Sequence, residues 1–146
     1  MIKKMLVAYD GSPTAKTAFA FALDMAKKYE AHIQVLAVAR IPDPPTEVEV
    51  GAQLEYAIEH YKHEFELMRG QAKEAGIVIE THVVSGHPAE QILHRAEQMH
   101  VDIIVMGHQT RSTLGRWIAG SVADRVVDHA QCTVIVVKHD RHASAR

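Results

Sequence analysis

Two kinds of hydrophobic pattern alternate along the chain. Segments that are mostly apolar on both faces are typical of buried strands, and they lie at 4–9, 33–39, 77–84, 102–106 and 133–137. Between these segments, apolar residues recur every three or four positions, which is the period of an amphipathic helix. Because buried strands alternate with helices, we expect an α/β fold in which a five-stranded parallel sheet carries helices on both faces.

The predicted helices have recognisable ends and apolar faces. Ser12 is a residue type that caps helices, and Pro13 suits a first turn. The apolar face of the first helix comprises Ala15, Ala18, Phe19, Ala22, Leu23 and Ala26. The apolar stripe of the long second helix comprises Leu54, Ile58, Tyr61, Phe65, Met68 and Ala72. Gly76 stands where a helix-terminating glycine is expected.

The segment that follows the fourth strand, residues 107–121, contains three glycines and two arginines. Ser121 and Asp124 resemble a capping box, which predicts that the last helix starts at Gly120 and Ser121 and continues over 122–129. Glycine lets backbone N–H groups approach a phosphate, and a helix N-terminus adds partial positive charge. The segment therefore either binds an anion or simply turns the chain, and its composition favours neither interpretation.

Ligands of parallel sheets bind beyond the carboxyl ends of the strands, where the strand order switches direction. The candidate positions are therefore the loops after Tyr9, Ala39 and Met106. The chain has no G-x-x-x-x-G-K-S/T motif and no G-x-G-x-x-G motif after its first strand, which excludes a P-loop enzyme and argues against a dinucleotide site. Ser12 lacks a G-x-S-x-G elbow, so we interpret it as a helix cap and not as a nucleophile.

Composition narrows the class of protein further. A chain of 146 residues is expected to form one domain, over residues 1–140, followed by a polar tail over 141–146. A net charge of −2 and 5% aromatic residues argue against nucleic-acid binding. Apolar runs are too short for a secretion signal or a membrane span. The single cysteine, Cys132, suits a reducing compartment, so we expect a cytoplasmic protein with no membrane partner.

Eleven histidines are the unusual feature of the composition. His60 and His63 lie beside Glu59 and Glu64 at a helical spacing that suits Zn²⁺, although a solvated helix face is the stronger interpretation. His108 alone falls in the loop after the fourth strand, where contact with a phosphate and a plain loop role carry equal weight. We therefore expect no metal site.

Three segments of the chain resemble the universal stress protein family: VAYDGSPTAKTAFAFAL, GHPAEQIL and VDIIVMGHQTRSTLGRWIAGSVADRVVDHAQCTVIVVK. The nucleotide signature of that family is G-x2-G-x9-G-S/T, and Gly107, Gly120 and Ser121 match it in register. Thr110 stands in place of the second glycine. The resemblance implies an adenine nucleotide alpha hydrolase-like fold with strand order 3-2-1-4-5.

The resemblance also implies a ligand and the residues that hold it. The ligand is ATP, with AMP or ADP as alternatives, and Mg²⁺ is the metal that would accompany it. Asp10 matches the family's acidic residue near the ribose, Ala8 and Val38 fall beside the adenine, and the residues from Met106 onward belong to the phosphates. The complete set of expected binding residues is Ala8, Asp10, Val38, Met106, Gly107, His108, Thr110, Arg111, Gly120, Ser121 and Val122.

The substitution at position 110 has two physical consequences that the sequence leaves open. If the loop needs a positive φ there, Thr110 is strained by about 1–3 kcal/mol. If the family's glycine only permits close approach, the threonine narrows the pocket or donates its hydroxyl to a phosphate.

Three functions remain after these considerations. The resemblance favours an ATP-binding regulatory module in stress adaptation. The alternatives are a nucleotide-free dimeric interaction protein of the same fold and a slow ATPase, although no dedicated catalytic base is evident. The apolar strand at 133–137 is an edge in the expected order, and family members commonly dimerise through this strand, so we expect a homodimer.

Overall fold

The structure is a computed structural model that describes residues 1–41, 46–108 and 117–138. Within these ranges the strands and helices alternate in the predicted sequence. The strands are β1 (Lys4–Ala8), β2 (His32–Arg40), β3 (Ile79–Gly86), β4 (Ile103–Gly107) and β5 (Thr133–Val137). The helices are α1 (Pro13–Tyr29), α2 (Glu47–Glu74), α3 (Pro88–Gln98) and α4 (Trp117–His129).

The five strands form one sheet in the order β3-β2-β1-β4-β5, and every neighbouring pair is parallel. This confirms both the α/β class and the expected strand order. Ala8 at the end of β1 lies opposite Leu36 of β2 on one side and Met106 of β4 on the other. Strands β2 and β3 follow β1 on one side of it, whereas β4 and β5 lie on its other side. The strand order therefore switches direction between β1 and β4.

Alternate residues of the central strand β1 contribute to separate cores on the two faces of the sheet. Met5 and Val7 pack in a cluster that contains buried residues of α1 and α2. Leu6 and Ala8 pack in a cluster that contains buried residues of α3 and α4. The two cores confirm that helices cover both faces, and they explain why β1 is apolar at successive positions.

The helix ends follow the local chemistry of the sequence at two predicted positions. The Ser12 side chain accepts a hydrogen bond from the Ala15 N–H at 3.2 Å, so Ser12 is the cap of α1. Gly76 has φ +73° directly after α2, and the Ile77 N–H donates to the Ala72 carbonyl at 2.8 Å. This is the Schellman arrangement that a glycine permits without strain.

Strands β1, β2 and β4 begin or end one residue away from their predicted bounds, and three further differences are larger. Ile58 is 48% exposed and Ala57 is buried instead, so the buried face of α2 includes Ala57 in place of Ile58. Strand β3 spans Ile79–Gly86 and not 77–84, because Ile77 is used in the cap of α2. Helix α4 begins at Trp117, so the predicted start at Gly120 and Ser121 is wrong.

The helices of the described ranges include none that is both long enough and apolar enough to cross a membrane. The expected polar tail at 141–146 lies outside those ranges. The boundary at residue 140 stays a prediction.

Candidate functional site

A cleft of about 530 Å³ opens at the carboxyl ends of β1, β2 and β4. This is the position at which the strand order switches, where parallel sheets bind ligands. Six of the expected binding residues line the cleft: Ala8, Asp10, Val38, Met106, Gly107 and Val122. They come from three strands, one turn and α4, so the fold brings together residues that are far apart in sequence.

The other expected residues lie elsewhere or outside the description. His108 follows β4 and is half-buried, and its backbone N–H donates to the Val137 carbonyl at 2.9 Å. Gly120 and Ser121 lie inside α4 and do not line the cleft. The spacing of Ser121 and Asp124 resembles a capping box, which would accept hydrogen bonds from backbone N–H groups of a first helical turn. Inside a helix, backbone N–H groups already donate to carbonyls of the preceding turn and need no such cap. Thr110 and Arg111 fall outside the described residues.

The turn after β1 presents a carboxylate to the cleft. The Ser12 N–H donates to Asp10 Oδ1 at 2.9 Å, which fixes the direction of the Asp10 side chain. Gly11 between them has φ +79°, a conformation that glycine adopts without strain. Asp10 is exposed, so its carboxylate remains accessible to a ligand in the cleft.

Gly107 has a structural role that its motif did not reveal. A Cβ atom at this position would lie 2.6 Å from the backbone carbon of Thr14 and 2.7 Å from the Ala15 nitrogen. Real Cβ contacts are not this short, so only glycine lets the end of β4 approach the first turn of α1. The glycine that the family signature associates with phosphate binding is therefore also a packing requirement.

One wall of the cleft comes from α2, which the sequence did not predict as part of the site. The wall consists of Gln53, Tyr56, Ala57, His60 and Tyr61, which we call the α2 wall. The Tyr56 and His60 rings stack with centroids 5.8 Å apart and an interplanar angle of 14°. The His60 ring also meets the edge of Tyr61 at 4.9 Å.

A spacing of three and four residues was the signal that could have identified the α2 wall, because it places all five residues on one helical face. The sequence predicts a solvated helix face for His60. His60 is indeed exposed, and it also lines the cleft. Within the described ranges, no group of three or more His, Cys, Asp or Glu side chains is placed to hold a metal ion.

Next to the α2 wall, Tyr9 and Glu64 form a partly buried polar pair, and Tyr9 itself lines the cleft. The Tyr9 hydroxyl donates to Glu64 Oε1 at 2.6 Å, and Tyr9 is 4% exposed. Burial and the hydrogen bond to Glu64 raise the pKa of Tyr9 well above its usual value of 10.0. Burial, followed by the negative charges of Asp10 and Glu64, raises the pKa of Tyr61 to about 12. The phenols of Tyr9 and Tyr61 are therefore neutral at physiological pH.

Comparisons with known proteins agree with the fold. The sequence model of the Universal stress protein family matches residues 1–138. A universal stress protein of Methanocaldococcus jannaschii is 32% identical over 142 residues, covering 94% of this chain and 83% of that protein.

Two solved structures extend the comparison to three dimensions. Universal stress protein UspA from Lactobacillus plantarum is 28% identical with a TM-score of 0.74, covering 92% of this chain and 97% of its own. A universal stress protein in complex with cAMP is 25% identical with a TM-score of 0.66, covering 92% of this chain and 95% of its own.

Proposed function

The chain belongs to the universal stress protein family, and on that basis we propose that it binds an adenine nucleotide, preferably ATP, in the cleft beyond β1, β2 and β4. The observation that carries the proposal is the convergence of six expected residues on one cleft. The solved relative in complex with cAMP supports the same class of ligand. AMP and ADP remain alternatives to ATP.

The chemistry of the cleft changes from one end to the other in a way that suits a nucleotide. Ala8 and Val38 offer an apolar surface to the adenine. The Asp10 carboxylate is an acceptor for the ribose hydroxyls, because an ionised carboxylate accepts and never donates. Gly107 begins the segment that leads to α4, where backbone N–H groups favour an anion. We therefore place the phosphates at the β4 end of the cleft.

A regulatory role in stress adaptation is favoured over catalysis. Among the described residues that line the cleft, Asp10 is the only carboxylate. Phosphoryl transfer needs a positioned metal, a group that orients the nucleophile and charge stabilisation. Asp10 would contact Mg²⁺ if the metal accompanied ATP, but that would occupy the one acidic group available there. A slow ATPase and a nucleotide-free interaction protein are the competing functions.

Mass spectrometry of the small molecules released from purified protein, followed by calorimetric titration with ATP and Mg²⁺, tests the proposal. We expect an adenine nucleotide in the release or a binding isotherm in the titration. Asp10→Ala should weaken binding about tenfold or more, because a hydrogen bond to a charged group is worth about 1.5–3 kcal/mol. Asp24→Ala, which removes an exposed carboxylate of α1, is the matched control and should bind as the wild type does. Absence of both released nucleotide and binding heat would contradict the proposal.

We also propose that the protein is a cytoplasmic homodimer that pairs through β5. Strand β5 is an edge of the sheet, and its residues Val134 to Val137 are only half-buried. An apolar edge strand presents unpaired backbone groups that another copy of the chain can pair with. The family membership supports this assignment.

A further inference from the structure

Helix α2 is linked to the residue that follows β1 by a partly buried hydrogen bond between Tyr9 and Glu64, which are 55 positions apart in the sequence. The hydroxyl donates to Glu64 Oε1 at 2.6 Å, a short distance that is typical of a bond to an ionised carboxylate. The Tyr9 ring is held by Tyr61 at 5.9 Å and by Phe65 at 6.2 Å between centroids. The phenol therefore has a single, well-defined position.

The same part of α2 also lies close to the turn on the far side of Asp10. A Cβ atom at Gly11 would lie 3.7 Å from Tyr61 Cε1 and 3.9 Å from both Glu64 carboxylate oxygens. Tyr9 itself is anchored to the sheet, since its N–H donates to the Leu36 carbonyl at 2.8 Å. Asp10 is thus held through the residue before it and supported at the residue after it by α2.

Packing alone does not account for the polar pair. A phenylalanine at position 9 would fill the same aromatic cluster, and burying a carboxylate next to it has a desolvation cost. The strong hydrogen bond between Tyr9 and Glu64 offsets that cost, and its direction fixes the chain at the end of β1. A fixed position of Tyr9 also restricts the next residue, Asp10, whose side chain lines the cleft.

We propose that Glu64 is a positioning residue which, through Tyr9, holds the turn at Asp10 and Gly11 so that the Asp10 carboxylate meets the ribose hydroxyls of the bound nucleotide. The inference rests on the proposed nucleotide function. Helix α2 then contributes to recognition of the ribose through Glu64, so the position of α2 affects how well the cleft binds a nucleotide.

The test compares the affinities of two ligands, ATP and 2′,3′-dideoxy-ATP, which lacks the hydroxyls that Asp10 would accept. Tyr9→Phe keeps the ring and removes only the donor. We expect it to weaken ATP binding about three- to tenfold and to leave dideoxy-ATP binding unchanged. Glu64→Leu should behave in the same way. Glu64→Gln keeps an acceptor oxygen and should retain most of the affinity of the wild type for ATP.

The control variant is Glu66→Gln, an exposed carboxylate on the same helix, which should bind both ligands as the wild type does. The double variant Tyr9→Phe, Glu64→Leu should be no weaker for ATP than either single variant, because both remove the same bond. Equal losses for the two ligands would show a merely structural role, and no loss for either would also overturn the inference. If the wild type binds neither ligand, the proposed function itself is wrong. The affinities of the wild type are therefore measured before those of any variant.

Discussion

At the scale of single residues, the cleft depends on side chains that are absent as much as on those that are present. Gly107 admits the first turn of α1 to within van der Waals distance of β4, and Gly11 has φ +79°, a backbone conformation in which a side chain would be strained. Gly51 and Gly70, by contrast, have no other atom within 4 Å of an added Cβ. The same residue type is therefore indispensable at the cleft and replaceable in the middle of α2.

This contrast gives a stability prediction for Gly107→Ala. The added methyl group collides with the backbone at Thr14 and Ala15, so the free energy of unfolding should fall by about 1–3 kcal/mol, the usual cost of overpacking. Urea denaturation measures the change. In Gly70→Ala, the matched control, alanine is the better helix former, so stability should rise by about 0.5–1 kcal/mol. A Gly107→Ala protein as stable as the wild type would contradict the close approach.

At the scale of elements, one carboxylate joins the amino ends of β1 and β4. Asp102 Oδ2 accepts hydrogen bonds from the Lys3 N–H at 2.7 Å and the Lys4 N–H at 3.0 Å. The bond from Lys3, followed by that from Lys4, lowers the pKa of Asp102 below its ordinary value of 3.8. The ionised form is thus favoured in the folded protein.

Asp102→Ala should therefore lower stability in a pH-dependent way. Above pH 3.8 the wild type gains from the ionised carboxylate, and we expect a deficit of at most about 1 kcal/mol in the variant, because solvent screens these exposed hydrogen bonds. As the pH falls through the lowered pKa, the wild type loses this contribution and the two stability curves converge. Thermal unfolding between pH 2 and 7 measures the difference; a deficit that is constant over that range would contradict the ion-dependent bonds. Asp24→Ala, which breaks only an exposed 3.6 Å pair with Lys28, should cost no more than about 0.5 kcal/mol.

Local sequence signals predicted element ends well where the signal had one meaning. Ser12 before Pro13 and Gly76 after α2 each specify one backbone conformation, and both are confirmed. The Ser121 pattern failed because the same spacing occurs inside helices. The prediction for Ile58 was wrong because two adjacent residues of α2 satisfy the helical period equally, and Ala57 is the one that is buried in the folded chain.

At the scale of the whole molecule, the direction of backbone groups on β5 determines how a second copy would pair. The Val137 carbonyl accepts from the His108 N–H at 2.9 Å, so Val137 directs its backbone groups toward β4. Residues alternate along a strand, so Ile135 does the same, while Val134 and Val136 direct theirs away from the sheet. The outward groups are those available to a partner chain.

Val136→Pro should therefore abolish dimerisation and leave the monomer folded, because proline removes an outward-facing N–H from an edge strand. Light scattering should give twice 16.2 kDa for the wild type and 16.2 kDa for the variant. Ile135→Pro is the control that should instead unfold the edge, since that N–H faces β4. A wild-type mass of one chain, or an unchanged mass in Val136→Pro, would contradict pairing through β5.

The alternation of strands and helices and the class of fold follow from the period of apolar positions, which is a local property of the chain. The family and the six residues that line the cleft were predicted from the resemblance of segments of the chain to universal stress proteins. The part of α2 in the wall of the cleft and the hydrogen bond between Tyr9 and Glu64 became apparent in the folded chain alone. Contacts of this kind depend on strand order and on the rotation of each helix against the sheet, and neither is encoded in the spacing of neighbouring residues.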